Sequence, residues 1–166
     1  MFDDALLLAA ENVLAAARLG RVMVATAESC TGGLIAGALT AIPGSSDVFD
    51  RGFVTYTNRA KQEMLGLPPS LLASEGAVSE AAARAMAEGA LARSAASFAI
   101  AVTGVAGPGG GSAQKPVGLV WFGLAGRGRT TSAERQIFPG DRAAVRRATV
   151  ERALALLAVA LRGPPA

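Results

Sequence analysis

Short apolar runs alternate with helix-forming segments along the chain, and this alternation restricts the fold more than any other feature. Residues 22–25, 52–56 and 98–102 are short and rich in Val, Ile or Ala, which is typical of strands. Between them lie stretches with helical periodicity, bounded by capping residues, glycine or proline. Strands that alternate with helices predict an α/β domain in which helices cover a mainly parallel, mixed sheet.

The remaining segments complete a single-domain prediction. Two runs joined by "AGRGR" predict an antiparallel hairpin at the edge of the sheet. No internal repeat or long linker interrupts residues 1–166, so we expect one domain with one core. The predicted helices cover residues 3–19, 32–42 and 80–93, a short segment from Thr57 or Asn58 to Leu65, and a long segment capped by Asp141; the hairpin strands cover residues 117–124 and 130–138.

The order of these elements predicts where a ligand would bind. In open α/β sheets, ligands lie beyond the carboxyl ends of the strands. The loops that leave the first three predicted strands begin at Thr26, Thr57 and Thr103. We therefore expect these loops, which are distant from one another in sequence, to meet in one cleft.

The chain contains no histidine and one cysteine, which removes several classes of site. A Ser-His-Asp triad is impossible, an internal disulfide is excluded, and most zinc, haem and iron–sulfur sites lack their ligands. No tight acidic cluster suggests a magnesium site. We therefore expect neither a metal nor a cofactor.

The net charge of +3 fits an anionic small substrate. Aromatic residues make up only 5% of the chain, so no nucleic-acid partner is expected.

Two features predict a cytoplasmic protein without a membrane anchor. The first residues, from Met1 to Asp4, carry acidic side chains where a secretory signal would carry Lys or Arg. The longest uninterrupted apolar run, residues 153–161, is far shorter than the roughly 20 residues that span a bilayer.

The stretch "TAESCTGG" places two potential nucleophiles, Ser29 and Cys30, between a predicted strand and a predicted helix. Backbone N–H groups at such a helix start, here from Cys30 to Gly33, can stabilise an oxyanion. Gly32 and Gly33 let a substrate approach the backbone closely. The alternative is that Ser29 or Thr31 only caps the helix, which is the commoner use of these residues. The stretch is not the G-x-S-x-G elbow of α/β-hydrolases.

A serine nucleophile needs a base, and without histidine the choice narrows to a lysine or a carboxylate. Lys61 lies early in the short helix after the second strand, within the predicted cleft. Its pKa would have to fall by a few units through burial or a nearby cation, and the alternative is an ordinary solvated lysine. Glu28 is adjacent to Ser29, but neighbouring side chains on an extended segment point apart. Cys30 fits a small buried residue better than a nucleophile.

Two further segments could bind an anion. The glycine-rich loop at residues 103–116 fits neither a Walker loop nor a dinucleotide fingerprint, but its N–H groups could line a pocket for an anion or an amide. A flexible surface loop is the alternative. In "FPGDR", Arg142 lies in the first turn of the last helix, where a guanidinium and helix N–H groups favour phosphate. We expect Arg146, Arg147 and Arg152 to form a solvated face.

Five motifs in one order resemble the CinA C-terminal domain family. They are "TAESCTGG", "GSSDVFDRGFVTYTNRAK", "GAVS", "AVTGVAGPGGG" with "KPVG", and "FPGDR", and the match runs from about Val22 to Arg142. The resemblance implies a three-layer α/β/α fold, often dimeric. For stand-alone members it implies hydrolysis of the carboxamide of nicotinamide mononucleotide (NMN) to nicotinic acid mononucleotide and ammonia, with a serine nucleophile, a lysine base and no metal.

The resemblance also implies a role for each matching residue. Ser29 would be the nucleophile and Lys61 the base, with Tyr56 beside them as a proton relay or a ring contact. Two alternatives stay open: a nucleotide-binding regulatory module without catalysis, and a cysteine amidase that uses Cys30. The substrate pocket is expected to contain Gly44, Ser46, Thr103, Gly104 and, on the phosphate, Arg142.

Overall fold

Five strands form one sheet, and helices cover both of its faces. The computed structural model describes residues 2–163. No helix within that range is long and apolar enough to cross a membrane. The strands are β1 (Val24–Glu28), β2 (Phe49–Val54), β3 (Phe98–Gly104), β4 (Leu119–Gly126) and β5 (Ser132–Ile137). The helices are α1 (Asp4–Gly20), α2 (Leu34–Thr40), α3 (Asn58–Leu65), α4 (Pro69–Ser74), α5 (Glu80–Ala92) and α6 (Arg142–Arg162), with a 3-10 turn at Ser45–Asp47.

The strands lie in the order β2-β1-β3-β4-β5. β1 pairs in parallel with β2 and β3, whereas β4 pairs antiparallel with β3 and β5. Four of the five strands therefore run in one direction, which confirms the predicted mixed sheet with its added hairpin. Glu28 is in register with both Val54 and Val102, so the first three strands end at the same edge of the sheet.

Each face of the sheet has its own hydrophobic core, because successive strand residues point to opposite faces. Val24 and Ile100 belong to a core shared with α1, α2 and α6. Ala25 and Ala101 belong to a second core shared with α3, α4 and α5. This arrangement of helices, sheet and helices confirms the three-layer α/β/α fold.

Two strands extend further toward the carboxyl edge than predicted. β1 ends at Glu28 rather than at residue 25, and β3 ends at Gly104 rather than at residue 102. The added residues include Thr26, Glu28 and Thr103, whose polar side chains are typical of loops. They are nevertheless buried, because each makes a hydrogen bond inside the protein. The first loop of the predicted cleft therefore begins at Ser29 rather than at Thr26.

Two helix predictions are corrected by backbone conformation. Gly32 and Gly33 have φ of +61° and +96°, so α2 begins only at Leu34 and not at residue 32. α4 is absent from the predicted elements because the Pro68-Pro69 pair looks like a break in the chain. Proline is, however, compatible with the first turn of a helix, and α4 begins at Pro69.

Helix α3 is fixed at both of its ends, by a cap at its start and by helix α5 at its end. The Thr57 hydroxyl accepts a hydrogen bond from Ala60 N (3.0 Å), which confirms the predicted cap. At the other end α3 packs directly on the backbone of α5, where a Cβ atom on Gly89 would lie 2.2 Å from Leu65 O. The position of α3 matters because this helix carries Lys61.

Candidate active site

The structure brings Ser29 and Lys61 into direct contact at the carboxyl edge of the sheet. Lys61 Nζ lies 2.9 Å from Ser29 Oγ and 2.7 Å from Thr55 O. Ser29 directly follows β1, and its N–H donates to Val102 O on β3 (3.0 Å). Residues that directly follow β1 and β2 thus converge on the amine that α3 carries.

Lys61 is almost fully buried, with 1% of its surface exposed. Burial lowers the pKa of its amine from 10.5 to about 8, because the charged form loses hydration. The neutral amine has one lone pair and two N–H groups. It can accept the Ser29 hydroxyl proton while it donates to Thr55 O, so the observed contacts fit the form that a general base requires.

The Glu28 carboxylate binds backbone N–H groups at the start of α2 and does not contact the Ser29 hydroxyl. It accepts hydrogen bonds from the Thr31 hydroxyl (2.6 Å) and from the N–H groups of Gly33 (3.1 Å), Ile35 (3.0 Å) and Ala36 (2.8 Å). It is fully buried beneath the amino end of α2, where a negative charge is favoured. Glu28 and Ser29 face opposite sides of the chain, as their spacing predicts.

The turn from Ser29 to Gly33 leaves one backbone donor open to a substrate. Gly32 N donates to Ser29 O (3.1 Å) and Gly33 N to the Glu28 carboxylate. Among the described residues, the N–H groups of Cys30 and Thr31 have no hydrogen-bond acceptor on another residue, but Thr31 is fully buried, whereas Cys30 keeps a small exposed surface. The candidate oxyanion donors therefore narrow from the four predicted residues to Cys30.

The thiol of Cys30 points into the core beneath α1, α2 and α6. The residue is 5% exposed and packs among buried apolar side chains. Burial raises the pKa of the Cys30 thiol to about 11. The thiolate that a cysteine mechanism needs is therefore disfavoured, and Ser29 is the residue that faces Lys61.

An open cleft of about 630 Å³ lies beside the turn, between the glycine-rich loop and the start of α6. Arg142 crosses it: Nη1 donates to Gly107 O (3.0 Å) and Nη2 to the Tyr56 hydroxyl (2.6 Å). Tyr56 is thus linked to Arg142, and its side chain is largely exposed. The cleft is lined by Ala106, Pro108, Val117, Gly140, Arg142 and Arg146.

Arg146 belongs to this site, which corrects the prediction of a solvated face. Its Nε donates to Cys30 O (3.1 Å) and its Nη2 to Thr31 O (2.8 Å). Arg147 and Arg152 do form surface ion pairs, with Asp3 and Glu134. The helical spacing of four residues between Arg142 and Arg146 is the one sequence signal that would have placed both on the same face.

Four other predicted pocket residues have different surroundings. Gly44 and Ser46 lie before β2, near the amino end of the sheet, where Gly44 O accepts a hydrogen bond from Arg18 (3.2 Å). The structure does not bring them to the carboxyl edge, since the length of β2 separates them from it. Thr103 reaches that edge, but its hydroxyl donates to Ala77 O (2.7 Å). At Gly104 a Cβ atom would lie 2.6 Å from Leu119 O, so that glycine allows close strand pairing.

Within residues 2–163, no group of three His, Cys, Asp or Glu side chains lies close enough together to hold a metal ion. The charged side chains that contact the turn at Ser29 include the buried Glu28 and Lys61, together with Arg146 of α6.

Fold and site together define an α/β sandwich domain with a serine at a strand-to-helix turn and a buried lysine against it. The chain belongs to the CinA C-terminal domain family, whose model matches residues 8–161. A competence/damage inducible protein from Agrobacterium tumefaciens has the same fold, with a TM-score of 0.92 and 52% identity over 97% of this chain and 98% of that one.

Relatives of two lengths resemble the chain. A "CinA-like protein" of Akkermansia muciniphila is 56% identical over 85% of this chain, but the chain spans only 34% of that protein. That relative is therefore about three times as long as the segment that it shares with this chain. A "Nicotinamide-nucleotide amidohydrolase PncC" of Enterobacter agglomerans is closer in length and is 60% identical over 74% of this chain and 75% of its own.

The substitution Lys61→Met removes the buried amine, and its effect on the pH dependence of stability tests the lowered pKa of Lys61 without an activity assay. In the unfolded chain Lys61 keeps its proton up to its ordinary pKa of 10.5, whereas the folded protein releases it near 8. Between these values the unfolded state binds more protons, so the free energy of unfolding should rise with pH, by up to about 3 kcal/mol. Lys61→Met should lack this rise.

Urea titrations of the wild type and Lys61→Met at a series of pH values measure the difference in unfolding free energy. A difference that stays constant between pH about 7 and about 10.5 would contradict a lowered pKa for Lys61.

Proposed function

We propose that the chain is an amidase that hydrolyses the carboxamide of NMN to nicotinic acid mononucleotide and ammonia by a serine–lysine mechanism. The observation that carries this proposal is the 2.9 Å contact between Ser29 Oγ and the buried Lys61 amine. The similarity to proteins named nicotinamide-nucleotide amidohydrolases in two bacteria, at 60% and 56% identity, supports the substrate.

In the first step, the neutral Lys61 amine takes the Ser29 proton as Ser29 Oγ attacks the carboxamide carbon. A bond forms between Oγ and carbon, and the carbonyl electron pair moves to oxygen. The N–H of Cys30 is the donor available to stabilise that oxyanion. Cys30 follows the nucleophile directly, so this donor needs no rearrangement of distant segments.

The second half of the cycle returns the proton. The Lys61 ammonium gives its proton to the leaving nitrogen, the carbon–nitrogen bond breaks, and ammonia departs from an ester on Ser29. Water then attacks the ester carbon while Lys61 accepts a proton from it. Collapse of the second tetrahedral intermediate releases the carboxylic acid, and Ser29 Oγ recovers its proton from Lys61.

Arg142 is proposed to bind the 5′-phosphate of the nucleotide. It lies at the first position of α6, where the helix N–H groups and a guanidinium favour an anion together. Tyr56 would orient this guanidinium through its hydroxyl, and its exposed ring is available to contact the pyridine. A homodimer remains a prediction of the family resemblance, and a cytoplasmic location remains a prediction of the sequence.

Matched alanine variants of the two adjacent residues test the nucleophile. Ser29→Ala should reduce ammonia release from NMN by about 10⁴-fold or more, because the attacking oxygen is lost. Cys30→Ala should stay near the wild-type rate, since the thiol faces the core. Ammonia is measured in a coupled assay with a chelator present.

Loss of turnover in Cys30→Ala but not in Ser29→Ala would contradict the mechanism and support the cysteine alternative. A wild type that binds NMN by calorimetry but releases no ammonia would replace the amidase with a nucleotide-binding module.

Substitution of Arg142 tests how the nucleotide is held. Arg142→Ala should raise KM for NMN by about 10- to 100-fold, because a charged hydrogen bond to phosphate is lost, while kcat changes little. Nicotinamide riboside, which lacks the phosphate, serves as the internal control and should be affected far less. An unchanged preference for nucleotide over nucleoside would contradict the phosphate role.

A further inference from the structure

The peptide groups directly after Ser29 are held from the side of α6 by one guanidinium. Arg146 donates through Nε to Cys30 O (3.1 Å) and through Nη2 to Thr31 O (2.8 Å). These contacts join residues more than a hundred positions apart in the chain. They are independent of the contacts that bring Lys61 to Ser29.

We propose that Arg146 is a positioning residue for the oxyanion, because it holds the turn that orients the peptide group carrying the Cys30 N–H. This inference rests on the proposed amidase function and adds a residue to it. In a trans peptide the C=O and N–H bonds point to opposite sides. Because Ser29 O accepts a hydrogen bond from Gly32 N inside the turn, the Cys30 N–H is directed out of the turn and has no acceptor on another residue among residues 2–163.

The second contact of Arg146 stabilises the same turn. The peptide group between Thr31 and Gly32 has its oxygen on Arg146 and its N–H on Ser29 O (3.1 Å). Both of its polar groups are therefore occupied, and rotation of this group would break two hydrogen bonds. The turn is left with its open donor at Cys30, where an oxyanion on a carbon bound to Ser29 would need it.

An arginine is specifically suited to this position. Its planar fork reaches two carbonyl oxygens at once, whereas a lysine ammonium acts as a single point donor. The guanidinium also lies over Gly32, where a Cβ atom would be 3.5 Å from Nη2 and where φ is +61°. A Cβ atom at residue 32 would be in ordinary contact with the guanidinium, but the positive φ would strain the backbone of any residue other than glycine.

Arg146 also lines the cleft that contains Arg142, so a second phosphate contact is the rival role. The two roles predict different kinetics. A positioning residue acts on the transition state and lowers kcat with KM little changed, whereas a phosphate ligand raises KM. The rival role also predicts that the preference for nucleotide over nucleoside falls, as expected for Arg142.

The test compares Arg146→Gln and Arg146→Lys with the wild type, with Arg147→Ala as the control from the adjacent surface position. Both Arg146 variants should lose kcat for NMN, about 100-fold for Gln, because neither side chain can hold both carbonyls. The probe is the NMN analogue with an aldehyde in place of the carboxamide, which Ser29 would convert to a hemiacetal with its oxygen on the oxyanion donor. Its Kd should rise in parallel with the loss of kcat, while the Kd of the product nicotinic acid mononucleotide should not.

Each other result overturns the inference. Wild-type kcat in Arg146→Gln, or equal weakening of aldehyde and product, removes the positioning role while leaving the amidase intact. A rise in KM alone assigns Arg146 to the phosphate. If Arg146→Gln does not fold by thermal melting, Arg146→Lys carries the same comparison. An inactive wild type overturns the proposed function itself, and is recognised before any variant is compared.

Discussion

The contact between the Lys61 amine and the Ser29 hydroxyl depends on the burial of a lysine, and much of the structure serves that burial. A buried ammonium is unfavourable, so the residue shifts toward the neutral amine. Helix α3 holds it in place through the Thr57 cap and through the packing of Leu65 on Gly89. The amine has two hydrogen-bond partners, Thr55 O and the Ser29 hydroxyl. Because Thr55 O can only accept, Ser29 is the partner from which the amine can take a proton.

The turn that carries Ser29 lies between two charged side chains with opposite signs. Glu28, from β1, binds N–H groups at the start of α2, and Arg146, from α6, binds the carbonyl oxygens of the turn. Both sets of backbone groups would otherwise need water. Because fixed charges replace solvent, the turn is organised before a substrate arrives, which is the condition under which backbone donors stabilise an oxyanion most effectively.

Local signals in the sequence predicted the elements well, and long-range contacts explain what they missed. Thr57 and Asp141 cap the helices that their positions indicate, because capping depends on neighbours three residues away. The alternation of strands and helices predicted that Ser29 and Lys61 lie at the same edge of the sheet. The family motifs then predicted their roles as nucleophile and base. Arg146 was missed because its partners are carbonyl groups remote in sequence. The resemblance assigned Gly44 and Ser46 to the pocket, although the path of β2 puts them at the opposite edge.

The pH dependence of kcat/KM for NMN tests the central claim most directly. If the neutral Lys61 amine is the base, log(kcat/KM) should rise with pH and level off above an apparent pKa of about 8, as the amine loses its proton. If the Cys30 thiolate were the nucleophile, the rise would instead continue toward about 11. A profile that is flat from pH about 7 to about 9.5, or one that is still rising at pH about 9.5, would contradict the account.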